Sequence, residues 1–231
     1  SAASDVYKRQ DNTALKSDAK VLQAMVWLQQ GNYDDAIKTL KEFVDPFRLT
    51  NQSDGLLVQA YLMRGERLQA DRYAQVGMYL SLQSLITQAI NHMTIHAQDQ
   101  TCFTRTVLRM ESVIDAFELS HLNPNLAAQF HFQAAILALG HENRAEAFHQ
   151  LEKFIAAMEE LFSDKGFRLH GDEYFNLLDE WIAELEQTNA APRDRDTVRR
   201  EVLRHFEQPF AAIVDDPEFR RLHIKLKAVL G

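Results

Sequence analysis

The sequence predicts an all-α fold built from stacked helix pairs, on three observations. The chain of 231 residues carries only 8 Gly and 5 Pro, so long helices are possible. Its prolines (Pro46, Pro124, Pro192, Pro209, Pro217) all stand where apolar periodicity breaks or a helix could begin. Few stretches alternate apolar and polar residues at the period of two that marks a half-buried strand. Finally, "VWLQQGNYDDAIKTLKEF" at 26–43 is answered 34 residues later by "AYLMRGERLQADRYAQVG" at 60–77. Trp27 aligns with Tyr61, Leu28 with Leu62, Gly31 with Gly65 and Ala36 with Ala70.

Taken in order, the first residues, "SAASDVYKRQDNT", carry no clear amphipathic pattern, and 1–16 is expected to be a poorly ordered end. Helix pairs are expected near 17–45, 52–76, 78–119 and 124–163. In the first two, Ala24, Ala36 and Ala70 are small enough for helix axes to approach closely. Trp27 and Tyr61 fill the wider gap near the end of the first helix, and Gly31 and Gly65 supply the left-handed backbone that ends it. Leu40 and Phe43 continue the stripe of the second helix. Trp27 and Ala36 should be buried.

The third pair is weaker. Met78 to Ala97 reads as one helix with Leu82, Leu85, Ile86, Ala89, Ile90 and Met93 on a stripe, and a second helix runs from about Thr101 to Leu119. The fourth recovers the pattern in "AAILALGHENRAEAFHQLEKF". There Ala135, Leu139, Ala147, Leu151 and Phe154 take the places of Ala24, Leu28, Ala36, Leu40 and Phe43 at an offset of 111 residues. Beyond it the period is lost. "HGDEYFNLLDEWIAELE" should start a helix after Gly171, with Phe175, Leu178, Ile182 and Leu185 as its stripe. "QTNAAPRDRD" is the clearest linker, a helix follows from about Asp196 to Phe206, and Asp216 with Pro217 should open the last one.

A period of 34 residues is the signature of the tetratricopeptide repeat. The first two units resemble that family through the turn and second helix, although Lys20 stands where a tryptophan is usual and Arg48 where a proline is common. The resemblance implies a right-handed α-α superhelix, a TPR-like solenoid over 17–163, closed by capping helices over 164–231. The whole chain, from about 17 to 229, also resembles the sensor region of bacterial XRE-type helix-turn-helix transcription regulators. That likeness rests on the repeats and on "ESVIDAFELSHLNPNLAAQFHFQAA", "LHGDEYFNLLDEWIAEL", "APRDRDTVRREVL" and "QPFAAIVDDPEFRRL". It implies a peptide- or protein-binding sensor and dimerisation module, a homodimer, whose DNA-binding domain is absent from this sequence. The alternative is a scaffold or adaptor that holds protein partners and is unrelated to transcription.

The net charge of −8, from 25 basic and 33 acidic residues, argues against nucleic-acid binding by this chain alone. Arg193, Arg195, Arg199, Arg200 and Arg204 are interleaved with Asp194, Asp196 and Glu201, which reads as a solvated helix face with ion pairs. Cys102 is the only cysteine, so no disulfide can form within the chain and a reducing cytoplasm fits. Its neighbours Phe103, Val107 and Leu108 predict a buried, inert thiol. No apolar run of about 18 residues indicates a membrane span.

His92 and His96 sit four apart, as in a two-histidine metal site, but Met93 stands where the zinc-protease motif has its glutamate. A polar helix face is the plainer reading, and no metal is expected. Asp172, Glu173, Asp179 and Glu180 are explained by a helix start and its polar side rather than by acid–base chemistry. Without a phosphate loop, nucleophile elbow or Cys/His cluster, neither an enzyme nor a cofactor is expected.

Solenoid curvature would place the first helix of each unit on an inner wall. Met25, Gln59, Met63, Met93, His96 and Gln133 would then form a peptide-binding groove. Glutamine amides donate and accept at once, methionines adapt to varied shapes, and net acidity would favour a basic ligand.

Overall fold

The computed structural model describes residues 19–20, 22–41, 52–163, 166–188 and 194–231, and these are helical with no strand among them. The expected disordered end at 1–16, Phe43, Arg48 and the middle of the "QTNAAPRDRD" linker lie outside the described residues. The chain divides into two compact units, Ser1–Ser53 and Asp54–Gly231.

In the first unit, a helix α1 at 22–29 turns into α2 (Tyr33–Lys41). Gly31 sits at φ 77°. Its N–H donates to the Leu28 carbonyl and that of Asn32 to the Trp27 carbonyl, the two bonds of a Schellman stop. Ala24 and Ala36 are fully buried. Trp27 is half-buried rather than buried.

The second unit contains α3 (Gln52–Met63), α4 (Arg67–Ile95), α5 (Gln100–Ala116), α6 (Leu119–Leu122), α7 (Pro124–Gly140) and α8 (Arg144–Leu161). After these come α9 (Leu178–Thr188), α10 (Arg195–His205), a 3-10 turn at Gln208–Ile213 and α11 (Pro217–Leu230). The Schellman stop recurs twice here. Gly65, at φ 81°, donates to Leu62 while Glu66 donates to Tyr61, and Glu142, at φ 58°, donates to Leu139 while Asn143 donates to Ala138. Five residues after each left-handed residue comes a buried alanine: Ala36, Ala70 and Ala147. The 34-residue correspondence and the 111-residue offset are thus geometric as well as textual. The fourth turn uses Glu142, not Gly140, in the left-handed place.

The third pair departs from expectation. No break separates the second and third pairs: α4 runs unbroken for 29 residues through Gly77. Gly77 keeps a helical backbone, and the buried stripe Ala70, Tyr79, Leu82, Ile86, Ala89, Met93 continues across it, so nothing there stops the helix. The turn after α4 has no left-handed residue; Asp99 caps α5 by accepting from the Cys102 N–H. The helix expected to reach Leu119 ends at Ala116, and Glu118, at φ 46°, redirects the chain into the short α6.

α7 is apolar all round because it is covered on two sides. One face meets α4 and α5 through Phe130, Ala134 and Ala138 against Ile86, Met93, Phe103 and Ile114. The other meets α8, the 3-10 turn and α11 in a core containing Phe154, Phe206, Phe210, Phe219 and Leu222. Asp216 caps α11 with Pro217 at its first position, as the sequence predicts.

The helix expected after Gly171 starts seven residues later, at Leu178. Asp172 instead accepts from the Tyr174 and Phe175 N–H groups and holds a turn. From there Phe175, Leu178 and Ile182 pack on Tyr79 and Leu122. The buried Gln75 side chain ties this segment to α4, donating to Asn176 and accepting from the Leu177 N–H.

Candidate functional site

Of the expected groove residues, Met93 is wholly buried in the α4–α5–α7 core, so it offers no surface to a ligand. Its place on the buried stripe of α4 made this so. Met63 is 90 % exposed at the end of α3, where Gln59 is also exposed. Gln133 is half-buried on α7, and Met25, exposed, belongs to the first unit. His96 is exposed at the end of α4 with its ring 4.6 Å from that of His92. Cys102 is half-buried rather than buried, its sulfur 3.2 Å from His92 Nε2. Among the described residues no group of three or more His, Cys, Asp or Glu is arranged to hold a metal.

A different constellation forms a cleft within the second unit. Three helix stripes converge on it. α7 contributes Asn125, Ala128, Gln129 and Phe132, α8 contributes Phe154, Met158 and Leu161, and α10 contributes Val198, Glu201, Val202 and His205. Each set follows the i, i+3 or i+4, i+7 spacing of one helix face. Together they line an almost wholly apolar pocket of about 260 Å³. Its wall is aromatic: Phe132 lies 5.1 Å from Phe154 and 6.0 Å from Phe206, and Phe154 stacks on Phe206.

Asn125, Gln129, Leu161, Val198, Glu201 and Val202 also line an adjoining, more polar cavity of about 690 Å³. Gln83 of α4, the start of α7 from Asn123, and the turn Gly166–Leu169 complete it. That turn passes so close to α8 that a Cβ on Gly166 would stand 2.1 Å from the Glu160 carbonyl oxygen. Arg195 fastens α10 to the end of α8: its guanidinium donates to the Phe162 carbonyl and lies 5.3 Å from the Phe162 ring centre and 5.9 Å from that of Phe167. The other arginines of α10 behave as a solvated face: Arg204 pairs with Glu201 at 3.7 Å and Arg200 donates to Thr197.

Behind the cleft, α7 and α8 are joined by a buried polar chain. His131 donates from Nδ1 to Gln150 Oε1 (2.8 Å), and the Gln150 amide donates to Glu111 (2.9 Å) and Glu146 (2.7 Å). Lys153 pairs with Glu111 at 2.9 Å. Burial pushes the His131 imidazole below its ordinary pKa, against the pull of its Gln150 bond and the nearby carboxylates. Burial alone would raise Glu111; donation by Lys153 and Gln150 outweighs it and holds the carboxyl low. The chain is satisfied and remote from solvent, so it fixes helix pairing rather than offering chemistry.

Comparison with protein-family models, curated proteins and solved structures found no match. No helix among the described residues is long and apolar enough to cross a membrane.

Proposed function

We propose that this chain is a peptide- or protein-binding module of the tetratricopeptide-repeat type, serving as the sensor and dimerisation part of a bacterial cytoplasmic transcription regulator. The repeat reading draws support from the three matching helix stops and the buried alanine after each. The binding reading rests above all on the α7–α8–α10 cleft, an apolar pocket opening into an amide-rimmed cavity. Apolar walls supply affinity and a few polar groups fix orientation, as in binding sites generally. The amides of Asn125, Gln129 and Gln83 can satisfy the N–H and C=O groups of an extended backbone, while the aromatic pocket takes a side chain. No catalytic role is proposed, since the cleft has no nucleophile paired with a base.

Affinity selection of short random peptides on the immobilised protein tests this reading. Binders should be enriched in apolar residues and should be lost with Val202→Asp, which puts a charge in the pocket. Binders indifferent to that change would sink the cleft as the site.

One observation favours the second reading, a scaffold for protein partners. Leu57, Leu62, Met63 and Leu68 are exposed along α3 and the start of α4, and contiguous apolar surface marks protein contacts.

A further inference from the structure

The polar end of the cleft has donors in excess of acceptors, and they converge from separate elements. Asn125, in the first turn of the 17-residue α7, keeps its backbone N–H without an acceptor, while the next two N–H groups are taken by Asn123. This is the positive end of a helix. Arg168, on the facing turn, lines the same cavity and has no carboxylate partner among the described residues. Independently, the Tyr79 hydroxyl is fully buried and has no hydrogen-bond partner. It points toward the cavity wall, beside the side chains of Gln83 and Asn123, without bonding geometry to either. A buried hydroxyl left unpaired is costly, and a small shift of Asn123 or Gln83 onto a ligand would bring it into use. The one acid lining the cavity, Glu201, is partly neutralised by Arg204 at 3.7 Å and His205 at 3.5 Å.

From this geometry we infer that the polar cavity receives the free C-terminal carboxylate of a peptide whose last side chain, apolar, fills the aromatic pocket. The inference rests on the peptide-binding reading and adds to it which end of the peptide is read. Arg168 supplies charge and paired donors to the carboxylate, and the Asn125 N–H supplies the helix end. Tyr79 acts behind them as a positioning residue, donating to Asn123 or Gln83 rather than to the peptide itself.

The test uses the full chain and a pool of pentapeptides ending in Leu or Phe, each made as the free acid and as the C-terminal amide. Titration calorimetry should show the acids binding about tenfold or more tighter than the amides, the scale of one charge-assisted contact. Arg168→Gln should erase the difference while leaving amide binding unchanged. Tyr79→Phe should shrink it with helicity retained by circular dichroism. Acids and amides of equal affinity would overturn the carboxylate site and leave the peptide reading standing. Absence of binding by either set at millimolar concentration would overturn both.

Discussion

Glu142 holds the position that Gly31 and Gly65 hold in the other two stops, with a left-handed backbone that costs an L-residue roughly 1–2 kcal/mol. Glu142→Gly should therefore raise the unfolding free energy by up to about 1 kcal/mol in a denaturant titration, whereas Gly65→Ala should lower it by a similar amount. No neighbouring atom lies within 4 Å of a Cβ built on Gly65, so backbone conformation alone decides that cost. Ala147 is the opposite case: it is fully buried where two helices meet. Ala147→Leu should destabilise by about 1–3 kcal/mol through overpacking, read in the same titration.

His131 gives a pH signature at the same scale. Its pKa is depressed on folding, so the unfolded chain takes up the proton first. Stability should be flat above about pH 6.5, the ordinary histidine value, and fall as pH drops below it. Glu111 is held low in the folded state, so its contribution is present above about pH 4.3 and is lost on further acidification. Melting temperatures measured from pH 8 to pH 4 should show the two windows in that order. His131→Gln, which keeps a donor toward Gln150, should flatten the upper one.

Among the elements, what was legible in the sequence follows from where the physics is local. The stops at Gly31 and Gly65, the alanines five residues on, and the Asp216–Pro217 start are set by backbone and capping chemistry within one turn. All three features appear as expected. The unbroken α4 was not legible, because a glycine that keeps a helical backbone looks the same in sequence as one that leaves it. The choice was made by the stripe Tyr79, Leu82, Ile86 packing on α7 and, at its start, by α9 on Tyr79. The groove expectation failed at Met93 for a related reason: a methionine on an apolar stripe is core unless a neighbouring helix is missing. The cleft itself left a trace in the spacing of Asn125, Ala128, Gln129, Phe132 and of Val198, Glu201, Val202, His205. Nothing local in the chain announces that two faces 70 residues apart will meet. Their joining depends on Phe206, fully buried among Phe154, Phe210 and Phe219. Phe206→Ala should cost about 3–5 kcal/mol, or release α10 and open the cleft, seen as lost protection of α10 amides in hydrogen exchange.

At the level of the whole molecule, charge and cleft bear on different partners. With a net charge of −8 and the α10 arginines engaged with their own helix and α8, the chain should give no electrophoretic shift with duplex DNA even at low salt, where phosphate contacts are strongest. A shift abolished by Arg199→Glu and Arg200→Glu would make that helix a contact surface instead. The central claim is that ligands enter between α7, α8 and α10. Hydrogen–deuterium exchange with and without a selected peptide tests it most directly. Slowed exchange over 124–129 and 195–205, with α3 unchanged, is the predicted result; protection confined to α3 and the start of α4 would contradict it.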